Sequence, residues 1–200
     1  MSNITQPGEK MPREGAVVTE PTERRAPFAL GILFAVYLAL LAWTILFKLE
    51  VPYIGAGGLR HVKWVPFAAD DWYAASKPLE VGANVLLFLP FGMYLGLLWP
   101  TRTVWKHVAT LAGASMLLEG LQYLLIVGSS DVTDVIANTV GGATGLLVVA
   151  LWGRRSEAGA RVLKRVCMVG TGLAVVICLA FFFSPLHYAQ RDVTLDQVVD

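Results

Sequence analysis

Five long runs of apolar residues constrain the fold of this chain more than any other feature of its sequence. A helix needs about 20 apolar residues to cross the hydrocarbon core of a bilayer, and every run has close to that length. The runs cover residues 28–47, 81–99, 108–127, 135–152 and 166–183. Together they predict an all-α fold, a polytopic integral membrane bundle of about five transmembrane helices.

The composition agrees with a membrane protein. Apolar residues make up 56% of the chain and charged residues 16%, whereas a soluble domain averages about 25% charged residues. A net charge of +1 gives no indication of nucleic-acid binding. The two cysteines, Cys167 and Cys178, lie about 16 Å apart along one predicted helix. That distance is too long for a disulfide, so we expect both to face the membrane.

The apolar runs divide the chain into three regions. Residues 1–27 are polar and contain four prolines, which predicts a disordered cytoplasmic tail. Residues 28–152 would form a four-helix membrane domain. Residues 153–200 would form a basic loop, a fifth transmembrane helix and a short outer tail. Because the first run is long and ends in FKLE, we interpret it as a retained helix rather than a cleaved signal peptide.

The distribution of Lys and Arg predicts the orientation, since cytoplasmic loops carry an excess of both. With the N-terminus inside, the predicted inner segments hold more of these residues than the outer segments. The basic segment GRRSEAGARVLKR contrasts most sharply with GSSDVTD, which contains no base. We therefore expect a multi-pass protein with its N-terminus inside and its C-terminus outside.

Polar side chains enter three of the predicted helices near the same end of the bundle. In this orientation the third helix runs outward, which places Glu119 about 12 Å below its outer end. The fourth helix starts outside, so Asn138 lies about 6 Å below the surface. The short loop between these helices makes them antiparallel neighbours. The groups predicted to meet in the outer leaflet are Asn84, Glu119, Gln122, Asp131, Asp134 and Asn138.

One face of the fourth helix is polar at its outer end and rich in glycine farther in. At about 100° per residue, Asp131, Asp134, Asn138, Gly142 and Gly145 fall within an arc of roughly 80°. The two glycines predict close approach of a neighbouring helix. The two aspartates have a structural alternative, because either could cap the helix instead of binding a ligand.

Glu119 is the polar residue with the strongest functional indication. An ionisable residue within a membrane helix is costly and marks a functional site by default. Gln122 lies three residues later and shares its face. We expect the amides of Gln122, Asn84 and Asn138 to be neighbours of the Glu119 carboxyl group, to which an amide can donate a hydrogen bond. Asn84 could equally form a structural hydrogen bond between helices.

The loop at residues 48–80 contains the aromatic segment WVPFAADDWY. Its side chains Trp64, Phe67, Trp72 and Tyr73 surround two acids. Aromatic residues of this kind anchor proteins at the membrane interface, and a lid over the polar mouth is the functional alternative. The three histidines are scattered along the sequence, so we predict no metal ligands among them.

Three motifs in order resemble the VanZ-like family of bacterial membrane proteins. They are ANVLLFLPFGMYLG, LLEGLQ and DVTDVIANTVGGATG. The resemblance extends from Arg60 to Trp152, so the predicted four-helix domain would be VanZ-like. It implies the bacterial cytoplasmic membrane and an envelope role.

The sequence departs from the family pattern at four positions. Lys63 and Trp64 replace an asparagine and a leucine, Gly128 replaces an arginine, and Thr133 replaces a third acid. The arginine–carboxylate pair of the family would therefore be missing unless Lys63 or Arg60 takes the place of the arginine.

The founding member of the family is associated with resistance to teicoplanin, a glycopeptide that acts on cell-wall precursors outside the cell. The resemblance therefore implies reduced susceptibility to teicoplanin-type antibiotics, and the outward-facing polar site is compatible with that role. The expected partner is a membrane lipid, with a cell-wall precursor or a glycopeptide antibiotic as further candidates and no nucleic acid.

The alternative function is that of an intramembrane enzyme acting on a lipid-linked or cell-wall substrate. Glu119 would be the general acid or base, and Asp131 and Asp134 would polarise the substrate. These carboxylates could also hold a divalent cation, although the favoured expectation is that the protein has no cofactor. The sequence leaves catalysis open. The candidate ligand-binding residues are Asn84, Gln122, Asn138 and Arg60.

Overall fold

Five helices form the described part of the chain, as the sequence predicts. The computed structural model describes residues 22–48, 52–55, 62–69, 74–127 and 130–183, except the side chains of 22–27. The helices are α1 (Thr22–Phe47), α2 (Pro78–Leu98), α3 (Val104–Leu125), α4 (Val132–Val148) and α5 (Glu157–Phe182), and a π-helical turn (Val149–Gly153) continues α4. Each of the five is long and apolar enough to cross a membrane. The predicted all-α membrane bundle is therefore confirmed.

Polar side chains cap the N-termini of two helices. Asp131 accepts a hydrogen bond from the Thr133 amide at 2.7 Å and starts α4. Ser156 accepts one from the Gly159 amide at 3.0 Å and starts α5. Hydropathy locates the part of a helix that meets lipid, whereas the cap determines where the helix begins.

The glycine face of α4 packs directly on the backbone of α2. A methyl group added to Gly141 would overlap the Val85 carbonyl, and one added to Gly145 would overlap the Leu89 carbonyl. Gly92 on α2 lies against the backbone of Gly142 in the same way. The prediction that glycine permits close helix approach is confirmed. The α2–α4 pair carries Asn84, Asp134 and Asn138 of the predicted polar groups.

An aromatic core joins α1, α2 and α5 at a distance from the polar groups. The rings of Phe34 and Tyr37 on α1 pack against Tyr94 on α2. The Tyr94 hydroxyl group donates to the Cys167 carbonyl at 3.1 Å and lies 2.7 Å from the Thr171 hydroxyl. Cys167 and Cys178 are both buried, so the expectation that they face the membrane was wrong. These small side chains fill space between helices.

Candidate functional site

A polar cavity of about 310 Å³ lies between α1, α2, α3 and the first turns of α4. It contains all six groups that the sequence predicts to meet, although they come from three helices. Arg60, the remaining candidate, lies outside the described residues. The residues lining the cavity are Thr44, Ile45, Lys48, Glu80, Ala83, Asn84, Leu87, Glu119, Gln122, Asp131, Asp134 and Asn138.

Three polar lining residues, Thr44, Lys48 and Glu80, are absent from the sequence prediction. Glu80 is four residues before Asn84, so helical spacing would have placed both on one face of α2. Thr44 and Lys48 come from the end of α1, and no pattern within α1 indicates that this helix borders the site. The prediction therefore identified six of the nine polar lining residues and did not identify the contribution of α1.

Glu119 is almost completely buried, with 4% of its surface exposed, and it touches the loop that follows its helix. Its Oε2 atom accepts a hydrogen bond from the Asp131 backbone amide at 3.0 Å. The sequence did not predict this main-chain bond, whereas the three expected neighbouring amides line the same cavity as Glu119. One oxygen of Glu119 thus fastens the end of α3 to the start of α4, while the residue also lines the cavity.

Asp131 is the centre of a hydrogen-bond network at the N-terminus of α4. Its Oδ1 atom accepts from the Thr133 amide, and its Oδ2 atom accepts from the Ser76 hydroxyl group at 3.0 Å. The Lys63 ammonium lies 3.2 Å from Oδ2 and donates to Ser76 at 2.7 Å. Lys63 therefore pairs with the carboxylate, as the sequence allowed, and the predicted capping role of Asp131 is confirmed.

The charge state of Asp131 follows from these contacts. Burial alone would raise the pKa of the Asp131 carboxyl group, but hydrogen bonds from Thr133, Ser76 and Lys63 outweigh it. The pKa is consequently lower than usual, and the group is a carboxylate at neutral pH. Because both of its oxygens already have partners within the protein, Asp131 has little capacity left to bind a ligand.

The backbone of the outer loop is bonded to the first turn of α4. Lys63 and Asp131 form a parallel bridge, in which the Lys63 amide donates to Ser130 at 2.9 Å and the Val132 amide donates to Lys63 at 3.1 Å. The Phe67 amide donates to the Thr133 hydroxyl group at 2.9 Å. The side chains of Trp64 and Phe67 are exposed, while Trp72 and Tyr73 lie outside the described residues.

The two amides deepest in the site give their N–H groups to neighbouring helices. Gln122 donates to the Ile45 carbonyl on α1 at 2.8 Å. Asn138 donates to the Ser115 hydroxyl group on α3 at 2.8 Å. Its Oδ1 atom has no hydrogen-bond partner among the described residues, although Asn138 is only 1% exposed. A buried acceptor without a partner is costly, so this oxygen is a candidate contact for a ligand in the cavity.

Carboxyl groups outnumber cations around the cavity. Glu80, Glu119, Asp131 and Asp134 line it together with Lys48, and the Lys63 charge is taken up by Asp131. The arrangement therefore favours positively charged groups and hydrogen-bond donors. Among the described residues, no three His, Cys, Asp or Glu side chains are arranged to hold a metal ion.

Comparison with known proteins covers most of the membrane bundle and the whole cavity. A family model described as VanZ/LLP1 matches residues 34–153. Protein VanZ of Enterococcus faecium is 33% identical over 121 residues, which are 60% of this chain and 72% of that protein. No solved structure matches the chain. The family match includes every residue that lines the polar cavity and ends before α5.

Proposed function

This chain belongs to the VanZ/LLP1 family of membrane proteins, and from that membership and the geometry of its site we propose a ligand-binding role in the bacterial cell envelope. The polar cavity binds a membrane amphiphile at the outer leaflet of the cytoplasmic membrane. In this arrangement the N-terminus is inside and the C-terminus outside. Binding reduces susceptibility to glycopeptide antibiotics of the teicoplanin type.

The observation that carries this proposal is the convergence of nine polar side chains, from α1 to α4 and their ends, on one cavity. Polar groups within a bilayer are costly and are retained where they bind something. The cavity also presents the unpartnered Asn138 oxygen. Several of these groups also bond to other parts of the protein, but the buried Asn138 oxygen has no partner among the described residues, which helix packing alone does not explain.

The outward orientation has support from the distribution of charge. The basic segment at residues 153–165 covers the turn between α4 and α5 and the first turns of α5, at the end of the bundle opposite the cavity. Basic loops remain on the cytoplasmic side, so the cavity would face the exterior. Glycopeptides act on cell-wall precursors outside the cell, and a site there has access to the same compartment.

An intramembrane enzyme is the second candidate. Glu119 and Asp134 are acidic groups of one cavity, and two carboxyl groups in different surroundings can divide the roles of acid and base between them. Binding is the stronger proposal, because Asp131, the third acid of the predicted catalytic set, has both oxygens occupied by the protein.

Substitution of Glu119 tests the site and separates the two candidates. Glu119→Gln retains an oxygen that can accept from the Asp131 amide, whereas Glu119→Leu removes it and leaves that amide unpaired. A binding site should keep part of the teicoplanin phenotype in Glu119→Gln, because the amide oxygen still accepts hydrogen bonds. A general acid or base should lose all of it, because an amide exchanges no proton.

The assay is the minimum inhibitory concentration of teicoplanin in a host expressing each variant, at equal membrane abundance and against an empty vector. We expect Glu119→Leu to fall to the vector value. Glu157→Gln is the matched control, because Glu157 is an exposed acid in the first turn of α5, outside the family match. Full resistance in Glu119→Leu would show that the cavity is not the functional site.

A further inference from the structure

The polar cavity shares two of its residues with an apolar groove. This groove of about 390 Å³ lies along α3 and the start of α4. Glu119 and Asp131 border both spaces. The other residues of the groove are mainly apolar or aromatic: Val62, Trp64, Met116, Gly120, Tyr123, Ser130, Val132 and Val135. A polar cavity thus lies directly beside an apolar groove, as the headgroup of an amphiphile lies beside its chain.

The hydrogen-bonding groups of the cavity specify what kind of headgroup fits. Gln122 and Asn138 direct their N–H groups to other helices, and the Asn138 oxygen remains buried without a partner among the described residues. Glu80, Glu119 and Asp134 add acidic oxygen atoms. Such a cavity needs a ligand that donates hydrogen bonds and carries positive charge, and a primary ammonium group supplies three N–H donors.

Lys48, a cation that lines the cavity, can bind the phosphate of a headgroup that also carries an ammonium group. Lys48 follows the last residue of α1 and lines the cavity with an exposed side chain. It can meet a phosphate, for which ammonium side chains are common partners. The acidic interior and this lysine together match a zwitterion whose ammonium and phosphate are separated by a short linker.

We propose that the site binds an aminophospholipid, with its primary ammonium group among Glu119, Asp134 and the Asn138 oxygen, its phosphate at Lys48, and one acyl chain in the apolar groove. This inference rests on the proposed function and names the class of amphiphile. The unpartnered, buried Asn138 oxygen indicates an N–H donor rather than charge alone. A trimethylated ammonium has no N–H group and leaves that oxygen unsatisfied, so the site distinguishes ethanolamine from choline headgroups.

The test is a binding titration of the purified full-length protein in detergent micelles, followed by thermal shift. The probes are phosphatidylethanolamine and phosphatidylcholine with identical acyl chains. We expect phosphatidylethanolamine to bind about tenfold or more tightly, because a hydrogen bond to a charged group is lost with the choline lipid. This comparison uses the unaltered protein, so no folding defect can obscure it. Equal affinity for the two lipids would overturn the proposal.

Two variants locate the two parts of the lipid. Asp134→Asn removes a charge without changing size and should weaken phosphatidylethanolamine binding about tenfold. It should weaken phosphatidylcholine binding less, because the choline ammonium loses only the attraction of charge and no N–H hydrogen bond. Gly120→Leu fills the groove, where a side chain at Gly120 meets no atom within 4 Å, and should weaken binding of both lipids. Gly113→Leu is the matched control, because Gly113 is on the same helix with equal space and does not line the groove.

Free ethanolamine separates a lipid from a soluble amine. We expect it to compete only weakly, since it lacks the acyl chain. Competition equal to that of the lipid, with no effect of Gly120→Leu, would overturn the lipid assignment in favour of a soluble amine.

The result is also distinguishable from failure of the proposed function. If phosphatidylethanolamine shows no preference while Glu119→Leu still abolishes the teicoplanin phenotype, the lipid class is wrong and the envelope site stands. If the lipid binds as proposed but Glu119→Leu remains fully resistant, the proposed function is wrong and the binding site stands.

Discussion

The ion pair between Lys63 and Asp131 offers the sharpest test of how the site is held together. Lys63→Met keeps the length of the side chain and the backbone bridge but removes the charge. The side chains of the pair are 4% and 13% exposed, so Asp131 would be left as a nearly buried carboxylate without its cation. Breaking a buried pair costs about 3–5 kcal/mol. Because Asp131 retains bonds from Thr133 and Ser76, we expect about 3 kcal/mol.

The same chain provides a matched control for this substitution. Lys77 and Glu80 form a salt bridge at 3.8 Å with side chains 79% and 63% exposed. Exposed pairs contribute about 0–1 kcal/mol, so Lys77→Met should change stability little. The assay is unfolding of the purified variants in detergent. The double variant Lys63→Met/Asp131→Asn should recover part of the loss, since it removes the unpaired charge.

The pH dependence follows from the lowered pKa of Asp131. A group whose pKa is lower in the folded state stabilises that state above its unfolded pKa and loses the contribution as the pH falls through the folded value. The wild-type contribution should therefore be complete at neutral pH and disappear only in acid. In Lys63→Met the loss should begin at a higher pH. A Lys63→Met protein as stable as Lys77→Met at every pH would refute the role of the ion pair.

Two further predictions concern packing and topology. Gly141→Ala places a methyl group against the backbone of Val85 and should reduce the free energy of unfolding by about 1–3 kcal/mol, as overpacking does. Gly113→Ala is the control, because nothing lies within 4 Å of the added methyl group, and its free energy of unfolding should not fall. Unfolding in detergent measures both, and equal values would contradict direct backbone contact. A reporter fused after Val199 should report the exterior and one fused at Ser156 the cytoplasm; the reverse pattern would place the cavity on the inner side and contradict the envelope role.

Much of the bundle was predictable because a helix that crosses a lipid bilayer needs a run of about 20 apolar residues. Apolar runs of membrane-crossing length indicated five helices, and all five are present. The helical period placed Asn138 and Gly142 on one face of α4, and both are buried there. Glu119 stood out because a carboxyl group is rare within a membrane helix. Each of these inferences depends on a single segment, in which periodicity and composition carry the information.

What could not be predicted are the contacts between segments that are distant in sequence. The Ile45 carbonyl accepts from Gln122, but a backbone oxygen has no signature in the sequence. Ser76 joins Lys63 to Asp131, although it lies in a loop whose conformation no periodicity describes. The amides predicted as neighbours of Glu119 line the same cavity, but the bond from the Asp131 backbone amide was not predictable for the same reason.

The motif DVTD combines two different roles at one helix end. Asp131 caps α4, pairs with Lys63 and holds the outer loop in place, so its carboxylate is committed to the structure. Asp134 is one turn later and faces the cavity together with Glu119 and Asn138. Because helical spacing puts both aspartates on nearly the same side, only the location of their partners distinguishes them. Asp131 therefore holds the helix end in place, and we expect Asp134 to be the aspartate that contacts a ligand.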